Sequence, residues 1–429
     1  MARQVQDVLQ TVLDRAVENG EVAGASLLVE QQGSPRWYAQ SGYRDTDKAL
    51  PMGRDTICRL YSQTKPLTAT AVMMLVERGL LDLDEPISAL LPGFKGQQVE
   101  RSQASVITND LPTEQAEHVV AQSGGAEAQK PHESQTEPVE RDVTVKDLLT
   151  MTSGLSYPDG TTLAGKESAK VYARIGEGLG TPKALGTVEI ANQFGRMPLH
   201  FQPGRHWMYG TSADVAGAIV EVVSGQRFGD FLRTQLFEPL GMKDTAFFVP
   251  EDKQSRLATV YDNPTNPMKP ANEGTLHEVV TNHLGIGYAP RTDPAFQSGG
   301  AGLFSTLDDY TRFAQMLLHG GQANGERFLS PATLGFMTHS SLSLSQLRDF
   351  ETWQTGYGYN CFMRTLERPS YANLVGSVGE YGWDGWLGTY FSNLPQFGAS
   401  FLVMLQLTNA GTLPVTRRLH NVVCGALSE

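Results

Sequence analysis

Residues 60–70 read LYSQTKPLTAT, with Ser62 three positions ahead of Lys65. On a helical turn that spacing brings an amine alongside a hydroxyl. A serine hydroxyl attacks a carbonyl poorly until a base takes its proton, and a lysine kept neutral by desolvation can be that base. The chemistry in prospect is acyl transfer through a covalent acyl-serine. Taken alone, a Ser-x-x-Lys pattern fixes only two positions and more often marks a helix N-cap followed by a surface lysine.

Other chemistries find less support. No Gly-x-Ser-x-Gly elbow occurs; GTSAD at Gly210 and VGSVG at Val375 each lack one glycine. There is no phosphate-binding or dinucleotide-binding glycine loop. HEVVTNH carries His277, Glu278 and His283, but Thr281 stands where a zinc motif needs its second histidine, so these read as ordinary loop residues.

The elements that must hold Ser62 and Lys65 can be read around them. The run PLTATAVMMLVERGLLDLDEPI predicts a mostly buried helix with Leu67, Ala71, Met74, Leu75 and Arg78 on one side and Pro66 in its first turn. Ser62 then falls at or just before the helix N-terminus, where unpaired N–H groups favour developing negative charge. The first residues, MARQVQDVLQTVLDRAVENG, predict an amphipathic helix with Val5, Val8, Leu9, Val12, Leu13 and Val17 at helical spacing. GASLLVEQQGSPRWYAQSGY predicts a hairpin turning at Gly33, Ser34 and Pro35. LGTYFSNLPQFGASFLVMLQLTN predicts a second pair of strands connected at Pro395 and Gly398, followed by a helix over about 414–427.

Strands at both ends with helices between them imply an α/β fold in which one antiparallel sheet is closed by the two termini. The expected division is an α/β domain from 1–92 and 290–429, with a mainly helical insertion over 93–289. Within that insertion, residues from about 95 to 140 are rich in Gln, Glu, Ser, Ala and Pro and poor in aromatics, so they are expected to form a surface excursion.

The 429-residue chain is 40% hydrophobic and 19% charged, within the usual range for a folded protein. A formal net charge of -12 argues against nucleic acid or an anionic membrane as partner, since both need a basic surface. Cys58, Cys361 and Cys424 are odd in number and widely spaced, which predicts buried thiols rather than a disulfide framework. No stretch has the apolar length of a membrane span, and charges break up any signal-like run near the start, which predicts a cytoplasmic location.

Five ordered blocks lift the Ser-x-x-Lys pattern above coincidence. They are RLYSQTKPLTATAVMMLVERGLLDLDEPISALLPGF, DLLTMTSGLSY, QPGRHWMYGTSADVAGAIVEVVSG, SGGAGLFSTLDDYTRF and GEYGWDGWLGTYF. Together they resemble the penicillin-recognising serine hydrolases related to class C β-lactamases, with the closest likeness to family VIII carboxylesterases. The resemblance spans about 23–426 apart from the polar excursion.

It implies a β-lactamase/transpeptidase-like fold with Ser62 as nucleophile, Lys65 as its base and Tyr209 as the tyrosine of the second motif. A phenol there could take the serine proton and later activate water. Thr211 stands where the lactamases carry a substrate-contacting asparagine. The Lys-Thr-Gly motif, at the start of a strand beside the site, is matched by Trp383-Asp384-Gly385. An indole and an aspartate in place of that lysine disfavour an anionic lactam. The implied oxyanion donors are the backbone N–H groups of Ser62 and Trp386, the latter on the strand after the motif. Gly385 would let that strand approach the substrate. Tyr157, Trp207, Tyr381 and Trp386 are candidates to line an acyl or alcohol pocket.

The expected activity is hydrolysis of a small-molecule carboxylic ester, with no metal or cofactor required. The alternatives are β-lactam or D-amino-acid peptide hydrolysis, acyl transfer on the same scaffold, and a non-catalytic penicillin-binding-like protein.

Overall fold

In the computed structural model, residues 2–101, 135–263, 276–280 and 282–428 are described. Eight strands make the main sheet: β1 (Gly24–Gln31), β2 (Ser34–Asp45), β3 (Leu50–Pro51), β4 (Tyr357–Asn360), β5 (Met363–Leu366), β6 (Tyr381–Asp384), β7 (Tyr390–Leu394) and β8 (Ala399–Leu405). Their order is β4-β5-β6-β7-β8-β1-β2-β3, with every neighbouring pair antiparallel. The strands closest to the two termini therefore meet in the interior of the sheet, β1 against β8 from Ala25↔Leu405 to Gln31↔Ala399.

Alternation along these strands sorts their side chains between two cores. Leu27, Val29, Phe401 and Val403 face the helices α1 (Ala2–Glu18) and α7 (Pro414–Leu427), where Leu9, Leu13, Leu419 and Val423 complete a buried layer. Leu28, Leu402 and Met404 join the larger core on the other face, which includes Phe313, Ala314 and Leu317 of α6 (Leu307–Leu318). Neither face of the central strands is left to solvent.

The first hairpin turns one residue earlier than expected. Gln32 and Gly33 carry the turn with positive φ of 53° and 77°, as a two-residue hairpin requires, while Ser34 and Pro35 already belong to β2. At the far end, Pro395–Phe397 and Gly398 make the connection between β7 and β8. The last helix runs from Pro414 as the sequence indicates.

Between β3 and β4 lie most of the helices, including α2 (Lys65–Glu77), α3 (Leu163–Gly178), α4 (Thr187–Gly195) and α5 (Ser212–Ser224). Helix α2 is buried on all sides from Lys65 to Leu75 rather than along one face, and Arg78, expected on that face, caps its exposed C-terminal end. Gln98–Glu100 pairs with Thr136–Pro138; residues 102–134, the bulk of the expected surface excursion, lie outside those described. All three cysteines are free and buried. Among the described residues no helix is long and apolar enough to cross a membrane.

Candidate active site

Ser62 does not cap α2. It sits in a 3-10 turn, Tyr61–Thr64, that runs directly into the helix. The turn is anchored by the segment after residue 298. Leu60 N–H donates to Leu303 O at 2.9 Å, Leu303 N–H to Thr64 Oγ1 at 3.2 Å, and the Tyr310 hydroxyl to Gln63 O at 2.8 Å. Tyr61 takes φ of 45°, a conformation that costs a non-glycine residue on the order of 1–3 kcal/mol and is held only where surrounding contacts impose it.

The amine of Lys65 lies 3.1 Å from Ser62 Oγ, 3.1 Å from the Tyr157 hydroxyl and 2.8 Å from the carbonyl oxygen of Gly300. Lys65 is fully buried, whereas Ser62 keeps partial exposure. Burial pushes the Lys65 pKa down to about 7, with the charges of Asp214 and Asp384 pulling the other way. Three oxygens suit a neutral amine well. Its two hydrogens can go to Gly300 O and Tyr157 Oη while its lone pair accepts the Ser62 proton.

Tyr209 comes to this group from 144 residues further along the chain than Lys65, with its ring centroid 4.6 Å from Lys65 Nζ. Its ring is boxed by Tyr157, Trp207, Trp353 and Trp383 at centroid distances of 5.7, 6.3, 4.9 and 5.8 Å. Burial pushes its pKa well up, against hydrogen bonds with Ser62 and Trp383 that lower it. The phenol is thus protonated at neutral pH, and the amine is the better base of the two.

The third-motif residues are placed differently from the sequence expectation. Trp383 and Asp384 end β6 rather than starting a strand, and Trp386 lies in the turn between β6 and β7. Trp383 is fully buried, and its indole N–H donates to the Tyr209 hydroxyl at 3.3 Å, so it steadies the phenol from behind. Asp384 is tied to Arg364 at 2.8 Å and to the Thr412 hydroxyl, which offsets its charge inside the protein.

A Cβ on Gly385 would fall 2.2 Å from Leu60 O and 2.4 Å from Thr389 Oγ1, so the close approach this glycine permits is to the segment leading into Ser62. The Trp386 N–H meets no acceptor among the described residues. Ser62 N–H belongs to the first turn of its helix, where peptide donors lack an intrahelical acceptor. Thr211 is fully buried at the start of α5, and its hydroxyl has no partner among the described residues. Trp207 and Tyr381 are buried in ring and hydrogen-bond contacts of the core.

Two groups escaped the sequence reading. Asp214 on α5 is buried and accepts from Ser298 Oγ at 2.5 Å, Gly300 N–H at 3.0 Å and the Tyr172 hydroxyl at 3.0 Å. Its charge acts on Lys65 across Gly300, whose N–H donates to Asp214 and whose carbonyl accepts from the amine. The second is the Gly300 carbonyl itself. A lone carboxylate in the apolar run ADVAGAIV was the available signal for the first; a backbone oxygen leaves none.

The anchored serine, buried lysine and phenol occur within a chain whose residues 9–422 match the beta-lactamase family. The chain belongs to the beta-lactamase family. It is similar to Esterase EstB of Burkholderia gladioli, with 29% identity over 97% of this chain and 94% of that one. It is also similar to the lovastatin esterase of Penicillium rubens, with 29% identity over 78% and 73% of the two chains. Among solved structures, EstCE1, described as a hydrolase with promiscuous acyltransferase activity, superposes with a TM-score of 0.74 at 22% identity, covering 100% of this chain and 99% of that one. The protein is a serine hydrolase of the esterase type, an ester hydrolase or acyltransferase.

Two expectations follow from this geometry. Because only the neutral amine can accept a proton, kcat/KM should rise with pH through a limb centred near the Lys65 value of about 7, measured as a pH–rate profile. Asp384→Ala should destabilise the fold by about 3–5 kcal/mol in denaturant unfolding, since it leaves the Arg364 guanidinium buried without its partner.

Proposed function

We propose that the protein hydrolyses carboxylic esters of short acyl groups through an acyl-Ser62 intermediate. The observation that carries this reading is the fully buried Lys65 amine 3.1 Å from a serine oxygen that remains partly open to solvent. In the proposed sequence Lys65 takes the Ser62 proton as Oγ attacks the ester carbonyl. The N–H groups of Ser62 and Trp386 receive the developing oxyanion. Tyr209 gives its proton to the departing alkoxide and is reprotonated from the Lys65 ammonium. For deacylation, water enters from the open side and attacks the acyl carbon as it gives a proton to the same pair; the acyl–Oγ bond then breaks, Ser62 Oγ takes that proton back, and the acid leaves.

The preference for short acyl groups is supported by the buried rings of Tyr157 and Tyr209, which close on the Lys65 amine beside the serine. The ester preference is supported by the third motif. Neither Trp383 nor Asp384 is a cation, and the neighbouring Arg364 guanidinium is taken up by Asp384, so the motif offers no free cation to an anionic lactam. Water as final acceptor is the first choice; an alcohol could take the acyl group through the same proton transfers.

The test compares initial rates on p-nitrophenyl esters of increasing chain length with those on a chromogenic cephalosporin, and follows acylation by intact-protein mass spectrometry. Acetate and butyrate esters should be turned over fastest, with an acyl adduct on Ser62. Ser62→Ala should lower kcat by a factor on the order of 10⁴ or more, the scale seen when a catalytic nucleophile is removed. Faster turnover of the cephalosporin than of every ester would overturn the substrate assignment. An active Ser62→Ala variant would overturn the mechanism.

A further inference from the structure

His283 and His277, which the sequence places six residues apart, have different surroundings. His277 is exposed on a short strand beside Asp262. The ring of His283 stacks on the indole of Trp386, with centroids 4.2 Å apart and planes at 30°. Trp386 in turn meets Tyr61 edge-on at 4.9 Å, and Tyr61 lies 6.0 Å from His283, closing a cluster of three rings. These are the side chains on the two peptides that matter most. Trp386 carries one proposed oxyanion donor, and Tyr61 immediately precedes the residue that carries the other.

Each ring is held from outside the cluster. Trp386 donates its indole N–H to Asn409 Oδ1 at 2.8 Å, and its carbonyl accepts from Ala410 N–H at 2.9 Å. That fixes one side of the indole; His283 covers a face of the ring.

The histidine is positioned by its own short loop. Ile286 N–H donates to His283 O at 3.1 Å, and Tyr288 N–H donates to Asn282 Oδ1 at 2.9 Å. Gly285, at φ of 72°, packs so closely on α3 that a Cβ there would fall 2.5 Å from Ile175 Cγ2. Ile286 enters the same small buried cluster as Tyr61, Ala301 and Trp386. Burial pushes the His283 pKa down to about 4, so the ring that stacks at neutral pH is an uncharged aromatic.

We propose that His283 is a positioning residue whose ring, stacked on Trp386 and tilted against Tyr61, keeps the Ser62 and Trp386 N–H groups aimed at a single oxyanion. This rests on the acyl-serine reading above. The two donors come from segments more than 300 residues apart in sequence, bridged near the site by the Thr389 hydroxyl, which donates to Leu60 O at 3.1 Å. Oxyanion donors act only within about 2.7–3.1 Å of the charge they receive, so a small rotation of the Trp386 turn would remove one of them. Ring-on-ring contact restrains that rotation while leaving both N–H groups unoccupied.

The test measures kcat and KM on p-nitrophenyl acetate, inhibition by phenylboronic acid, which forms a tetrahedral serine adduct, and thermal melting. Wild type, His283→Ala, His283→Leu and His283→Phe are compared. His283→Ala should lower kcat roughly 10- to 100-fold, somewhat less than outright loss of an oxyanion donor, and weaken boronate inhibition by a similar factor. KM should stay within about threefold, since the substrate ground state does not use the oxyanion contacts. His283→Phe should restore most of both losses, and His283→Leu, which keeps bulk without a flat face, should not.

Unchanged kcat and boronate inhibition in the Ala and Leu variants would overturn the proposal, as would a change confined to KM, which would make His283 a substrate wall. If His283→Ala does not fold, the Leu and Phe pair decides the question by the same criteria. Ser62→Ala measured alongside separates the two readings: activity there within tenfold of wild type sinks the acyl-serine mechanism itself, whereas a loss on the order of 10⁴ in Ser62→Ala with unaffected His283 variants sinks only the clamp.

Discussion

An amine without water is the constraint on which this site depends. A lysine in solvent is protonated and useless as a base; Lys65 is fully buried, and the protein surrounds it with oxygens that carry no formal charge. A carboxylate in direct contact would restore the ammonium. Asp214 is instead set one residue away, hydrogen-bonded to Gly300 N–H while Lys65 contacts Gly300 O. The balance between desolvation and that remote charge leaves the amine close to half-protonated near neutrality.

Keeping the lysine dry accounts for much of the surrounding architecture. Helix α2 is enclosed on every side along its first three turns, against the more usual arrangement of one apolar face. The serine turn is then pinned by hydrogen bonds to residues 303 and 310 and by the short pairing of Cys58–Arg59 with Phe304–Ser305. Glycines allow the flanking segments to come this close. A Cβ on Gly299 would fall 2.2 Å from Ala213 O, and one on Gly385 would fall 2.2 Å from Leu60 O. The positive φ of Tyr61 is tolerated because both sides of the turn are already fixed.

The third motif shows how the same scaffold can display different electrostatics. Its indole is directed at the phenol of Tyr209, and its carboxylate is neutralised by Arg364 from the adjacent strand β5. Trp383 and Asp384, expected from the sequence beside a substrate, bond to Tyr209, Arg364 and Thr412. A repulsive charge at Asp384 therefore has less force as an argument about substrate than the absence of an uncommitted cation at the motif.

Much of this was legible in the residues. Local patterns marked the amphipathic first helix, the paired strands at both ends and the last helix, because burial on a helix or strand face repeats with a short period. The Ser62–Lys65 pair is local too, one turn apart, and its meaning came from five motif blocks in order. What lay beyond the sequence was everything that depends on which distant groups meet. Tyr157 as a partner of Lys65, Asp214 acting through Gly300, Trp383 behind Tyr209 and the turn, rather than strand, that carries Trp386 are all relations between segments far apart in the chain. The sequence by itself determined the spacing of Ser62 and Lys65 and the kind of fold that could bury them; only the tertiary structure decided the surroundings of the amine and the direction of each third-motif side chain, because desolvation and hydrogen-bond geometry are properties of neighbours in space.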